Sequence, residues 1–166
     1  MSTLRSEERL QRLIEASGAG TWEMDLATRQ VWADVPLLEL FGLGGSRTET
    51  VPVDAILAGI HPDDRARVAD ALSKAIAGEQ GGRYATDYRT LTADGRIRWV
   101  EGRGQVLFGA DGKPTRFIGT GLDITARKAA EEAVRESENL MREVTDALPS
   151  TESASRRRSA TSSAMH

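Results

Sequence analysis

The 166-residue chain has no cysteine. That excludes disulfides, zinc–thiolate centres, iron–sulfur ligation and thiol chemistry. Histidine is scarce, with only His61 and His166 present. Aromatic side chains make up 5% of the sequence, so the three tryptophans, Trp22, Trp32 and Trp99, stand out. They are candidate pocket aromatics, set against the plainer reading that they fill a core. A strong charge of either sign is also missing. A formal charge of -3 and a pI near 5.5 give no polyanion-binding signature, and no nucleic-acid partner is expected. No apolar run approaches the roughly 20 residues that span a bilayer. Residues 1–15 are charged throughout and lack the apolar core of a signal peptide. The expectation is a soluble, cytoplasmic protein with no membrane insertion.

Catalytic motifs are missing too. There is no phosphate-cradling Gly-Lys-Ser/Thr loop and no Gly-x-Ser-x-Gly elbow. Asp63 and Asp64 are adjacent, so they point to different helix faces. Their place behind Pro62 reads as negative charge favoured by a helix N-terminus. No catalytic residue and no metal site is assigned.

What the chain does contain is centred on residues 84–124. Three runs rich in β-branched and aromatic residues, 84–91, 96–108 and 114–123, are separated by turns carrying Asp94-Gly95 and Asp111-Gly112. Asp-Gly tolerates positive φ and favours tight reversals between paired strands. The last strand ends at Asp123-Ile124-Thr125, and a helical pattern starts there with no loop between.

Upstream, residues 6–16 form an amphipathic helix with Leu10, Leu13 and Ile14 on one face. This is a dimer or lid helix, or a simple cover for an apolar face. Residues 21–26 and 30–33 alternate as a hairpin. A short helix follows Pro36, and residues 47–53 read as loop. Residues 55–60 form a short helix. From Pro62, apolar residues at Val68, Ala71, Leu72, Ala75 and Ile76 mark a helix with one buried face, ended at Gly78. The sum is an α+β fold: a five-stranded antiparallel sheet with helices packed on one face. Such a face can enclose a small pocket.

Downstream of Thr125, Ala126, Ala130, Ala133, Ser137, Leu140, Val144 and Ala147 fall at alternating steps of four and three. This is a heptad seam, and three alanine-rich heptads predict a marginal homodimer, against the alternative of a solvated linker helix. Residues 137–147 faintly echo residues 6–16, as though a second copy of the opening helix began there. Beyond Pro149 the chain is Ser-rich with Arg156-Arg157-Arg158, a composition expected to stay disordered.

Taken together, these pieces resemble the PAS domain family, in the form common in bacterial signalling proteins such as sensor histidine kinases. The matching residues are Gly20-Thr21-Trp22-Glu23 with Asp25, Ile60 to Arg65, Tyr88-Arg89, Asp94 to Val100, and Gly119 with Asp123-Ile124-Thr125 ahead of Arg127-Lys128. The resemblance covers residues 6–128. It implies a sensory or interaction role and frequent dimerisation. It also implies that Asp123, Ile124 and Thr125 join the last strand to a signalling helix. Asp123 would bind a basic group such as Arg98 or Arg103, or cap the helix, with Thr125 as a candidate N-cap. Members that form a covalent flavin adduct carry an Asn-Cys-Arg-Phe motif, so that chemistry is excluded here. His61 sits at a helix start matching the family's common structural position, which argues against an axial haem role.

The organisation expected is an N-terminal helix at 1–17, a PAS domain at 18–124, a coiled-coil-like signalling helix at 125–148 and a tail at 149–166. The leading expectation is a regulatory module that detects a small ligand or a partner and signals through its C-terminal helix. The output domain, a histidine kinase or cyclic-dinucleotide enzyme by analogy, would lie outside this chain. Two alternatives stand beside it: a ligand-free homodimerisation module, and a small cone-shaped α+β enzyme using a buried acid–base pair. The identity of any ligand is not encoded in a motif.

Overall fold

The computed structural model describes residues 2–44 and 49–148. The chain divides into two compact units, Met1–Ala126 and Arg127–His166. The expected tail at 149–166 lies outside the described residues.

The first unit opens with helix α1 (Ser2–Ser17), followed by strands β1 (Gly20–Asp25) and β2 (Gln30–Ala33). Asp25 makes the turn between them. Its carboxylate accepts from the backbone N–H of Ala27 (2.8 Å) and Thr28 (3.1 Å), which holds its pKa below the usual carboxylate range. Helix α2 (Val35–Leu40) is N-capped by Asp34, which accepts from Leu37 N–H, and Pro36 sits in its first turn.

Strand β3 (Glu49–Pro52) comes next and pairs with β2. The sequence reading placed a loop here. Four residues ending in proline carry no alternation to read, and proline is tolerated because β3 is an edge strand. Helices α3 (Val53–Ala58) and α4 (Pro62–Ile76) follow, then β4 (Arg83–Leu91), β5 (Ile97–Phe108) and β6 (Pro114–Asp123). The sheet therefore has six strands rather than five, in the order β3-β2-β1-β6-β5-β4, with every pairing antiparallel.

One face of the sheet carries the core. Met24, Val31, Tyr84, Tyr88, Val100, Val106 and Phe117 are buried there against α2, α3 and α4. Small residues on the central strands let large ones lie flat. A β-carbon at Gly119 would come within 2.4 Å of the Trp22 ring and 2.2 Å of the Arg103 carbonyl oxygen. Only glycine leaves room for that indole. Trp22 in turn meets Phe117 edge-on, with centroids 5.0 Å apart.

The other sheet edge, β4, is covered from Arg89 onward by the chain entering α4. His61 N–H donates to the Arg89 carbonyl and Leu91 N–H to the Gly59 carbonyl, both at 2.8 Å. Asp64 takes the next edge donor, Arg89 N–H, at 2.8 Å. The same carboxylate accepts the Arg89 guanidinium through Nε (3.0 Å) and Nη2 (2.8 Å), with Arg67 3.7 Å away. The two adjacent acids thus differ. The Asp63 side chain is 76% exposed and sits at the helix start as expected. Asp64 is only 5% exposed and fastens α4 to the sheet edge, a role the sequence reading did not see.

Arginine bonding holds Asp64 well below the usual carboxylate range, at about 2. Its pKa is depressed in the folded state, so its contribution is present above the unfolded value and lost as pH falls through the folded one. Against an unfolded value near 3.9, that amounts to about 2 kcal/mol, lost between roughly pH 4 and pH 2. Asp64→Asn leaves the Arg89 cation without its partner and should cost on the order of 2–3 kcal/mol at neutral pH. Urea unfolding at pH 6, 4 and 3 checks both statements, since the variant should also lose much of the wild-type acid dependence.

Candidate functional site

Two places in the first unit carry functional geometry: a cavity under α3 and α4, and the point where β6 hands over to a helix.

The cavity lies between the inner sheet face and the helices. Its volume is about 50 Å³. Trp22 and Met24 of β1, Phe41 after α2, Ile56 and Leu57 of α3, Val68 and Leu72 of α4, and Tyr84 and Tyr88 of β4 are among its walls. No carboxylate, histidine or cation lines it. The buried carboxylate closest to an acid–base candidate, Asp64, is ion-paired and outside this lining. The walls therefore supply none of the acid–base pair that the enzyme alternative requires.

An engineered apolar cavity of 150 Å³ takes benzene, and drug-sized ligands occupy roughly 300–1,000 Å³. The cavity as it stands is smaller than either. His61 is outside the lining, and its Nδ1 accepts from Asp63 N–H at 3.2 Å, capping α4.

The three tryptophans separate. Trp22 lines the cavity. Trp32 is 46% exposed and borders a surface groove with Leu10 and Ile14 of α1. Trp99 is half-buried away from the cavity, with the Arg89 guanidinium carbon 5.4 Å from its ring centroid. Alternation along β2 and β5 puts Trp32 and Trp99 on the opposite sheet face from the cavity-facing residues.

The handover point is tightly bonded. β6 ends at Asp123 and helix α5 (Thr125–Ala147) starts two residues later, with only the buried Ile124 between. Ile124 N–H donates to the Trp99 carbonyl at 2.9 Å, so the β5–β6 ladder runs to the helix itself. Asp123 Oδ1 accepts from Thr125 N–H (2.9 Å) and from the Thr125 hydroxyl (2.5 Å). The Thr125 hydroxyl oxygen accepts in turn from Trp99 N–H at 3.0 Å.

Of the roles weighed for Asp123, capping is the one its bonds fit. Arg98 instead donates to the Glu39 carbonyl (2.7 Å) and Arg103 to Glu101 (3.1 Å). Thr125 is not the N-cap expected of it, because its oxygen is turned to Trp99. Trp99 and Arg89 entered the sequence reading only as matching residues, since nothing in one dimension says that a β5 amide meets a helix hydroxyl.

In the second unit, α5 buries no side chain. Val134, Leu140, Met141, Val144 and Leu148 are all more than half exposed. Ala126, Ala130 and Ala133 are exposed as well. Among the described residues there is no cluster of metal-ligating side chains, and no helix is long and apolar enough to cross a membrane.

The family described as PAS fold matches residues 30–121. The chain belongs to the PAS family. Proteins similar to this PAS domain include a sensor protein and a sensory box histidine kinase/response regulator. It is 30% identical over 137 residues to the sensor protein FixL of Bradyrhizobium diazoefficiens, covering 82% of this chain and 26% of that protein. It is 31% identical over 147 residues to the non-motile and phage-resistance protein of Caulobacter vibrioides, covering 86% and 17%. Among solved structures, a sensory box histidine kinase/response regulator from Burkholderia thailandensis superposes with a TM-score of 0.69 at 31% identity. That match covers 81% of this chain and 98% of the solved one. The PAS domain thus spans about a quarter or less of the curated relatives it matches. It is a sensory signalling domain of the kind found in sensor kinases.

Thr125→Val tests the handover bonds. It keeps the side-chain shape but removes the hydroxyl that accepts from Trp99 N–H, at a cost of about 1–3 kcal/mol. Amide exchange at Trp99 and Ile124 should quicken, while the β1–β2 hairpin keeps its wild-type protection.

Proposed function

We propose that this PAS domain is an input module in which the packing around the cavity sets the state of the Asp123-Ile124-Thr125 handover, and through it α5. The observation that carries this reading is one chain of contacts. Val68 and Leu72 wall the cavity from α4. Asp64 of the same helix holds Arg89, Arg89 stacks on Trp99, and the Trp99 amide is bonded to Thr125. A molecule that moves α4 acts on the first residue of α5 through Asp64, Arg89 and Trp99.

The output enzyme, a histidine kinase or cyclic-dinucleotide enzyme, lies outside this chain in this reading. α5 delivers the signal as a homodimer, paired along Ala126, Ala130, Ala133, Leu140 and Val144. Transmission of this kind requires two arrangements of α5 that bind the stimulus differently.

The small cavity favours a second reading, a dimerisation module whose core is already filled. A double-mutant cycle separates the two. If the contacts transmit, Asp64→Asn and Thr125→Val should be non-additive by about 0.5 kcal/mol or more in stability. Asp64→Asn alone should then speed amide exchange at Thr125. Additive effects and an unchanged Thr125 amide would leave only the dimer. The seam itself is tested by Leu140→Glu with Val144→Glu, which should abolish self-association in sedimentation equilibrium without altering the first unit.

A further inference from the structure

Strand β4 is open along half of its outer edge. Arg89 and Leu91 turn their backbone N–H groups away from β5, to Asp64 and to Gly59. The β4–β5 register runs from Arg83 to Leu91 without a shift. By the two-residue alternation of an antiparallel ladder, Arg83, Ala85 and Asp87 therefore turn their N–H and carbonyl groups outward too. The chain entering α4 covers this edge only as far as Arg89. Among the described residues no bond reaches the N–H or the carbonyl of Ala85. Ala85 is exposed and borders a surface groove beside Ala71 and Lys74 of α4. At the opposite edge of the sheet, β3 is four residues long and ends in Pro52, two features that discourage pairing. Residues 83–87 contain no proline.

Charge on an edge is itself a deterrent to pairing, and Arg83 and Asp87 both carry it. Their signs and spacing reverse that effect for one occupant. Arg83, Ala85 and Asp87 share a sheet face, with a cation two residues before Ala85 and an anion two residues after it. We propose that residues 83–87 pair antiparallel with the same residues of a second copy, two-fold symmetric about Ala85. Each Ala85 exchanges both backbone bonds with its counterpart. Arg83 N–H of each copy donates to the Asp87 carbonyl of the other. The Arg83 and Asp87 side chains then meet across the new ladder, where opposite charges stabilise and like charges destabilise. Asp87 also stands opposite Glu101 within the sheet, so a cation arriving beside it relieves two neighbouring acids. Centring on Arg83 or on Asp87 instead would oppose like charges. The Asp87-centred register would also need the Arg89 amide, which Asp64 holds. The same patch serves both copies, and the contact is separate from the α5 seam.

A short exposed edge makes a weak contact, well below the size of a stable interface. It is therefore read at millimolar concentration, above the range in which sedimentation reads the seam. The full chain carrying Leu140→Glu and Val144→Glu is used, so that α5 contributes nothing. Amide exchange at Ala85 should slow about threefold between micromolar and millimolar protein, while the Arg89 amide stays unchanged. Ala85→Pro removes a donor that no intrachain bond uses, so the sheet should keep its amide signals while pairing weakens roughly tenfold. Arg83→Glu and Asp87→Lys should each abolish the slowing. An equimolar mixture of those two variants should restore it, because the mixed pair again sets opposite charges together at both ends.

An Ala85 amide that ignores concentration would overturn the proposal. So would pairing that survives Ala85→Pro, or a mixture of the charge variants that pairs no better than either alone. Self-association of the unaltered chain at micromolar concentration reports the seam, so either contact can fail without the other.

Discussion

The bond between Asp64 and Arg89 is the constraint on which the rest of the first unit depends. Sheet edges expose unpaired backbone groups, and β4 is such an edge. From Arg89 onward its donors and acceptors are met by Gly59, His61 and Asp64 in turn. One carboxylate, buried and bonded three times by Arg89, does two things at once. It closes that end of the edge, and it fixes where α4 begins. With α4 placed, Val68 and Leu72 face the sheet and the cavity acquires its outer wall. A neutral side chain at 64 could still accept the edge amide, but it could not hold the guanidinium in a paired geometry.

Arg89 extends that constraint across the sheet. Its backbone belongs to the edge, while its side chain lies over Trp99 on the face away from the core. Trp99 is the last β5 residue bonded to the outgoing chain, through its carbonyl to Ile124 and its amide to Thr125. Edge, outer face and handover are therefore a single bonded patch, and the cavity lies directly behind it.

Much of this was readable in one dimension. Two Asp-Gly turns, alternating apolar residues and the spacing from Pro62 to Ile76 are local signals, and the hairpins and α4 formed where they pointed. The resemblance to the PAS family held, with the family match at residues 30–121, and so did the antiparallel α+β architecture. β3 escaped because four residues against an edge have no period of their own, and their stability comes from β2. The parts of Trp22, Trp32 and Trp99 could not be told apart, because burial depends on which face of which strand a residue occupies. Asp63 and Asp64 looked equivalent, since helix position alone does not say which of two acids meets an arginine 25 residues away.

The sequence by itself determined most of the strands and helices, though not β3, together with the absence of thiol chemistry, the heptad spacing after Thr125 and the abrupt passage from strand to helix at residues 123–125. Each is a property of neighbouring residues, set by backbone preference, side-chain period or simple composition. Only the tertiary structure decided the cavity's size, the pairing of Asp64 with Arg89, the turning of Thr125 toward Trp99 and which half of the β4 edge is covered. These need residues far apart in the chain to arrive at one place, and that arrival is fixed by strand register and helix docking.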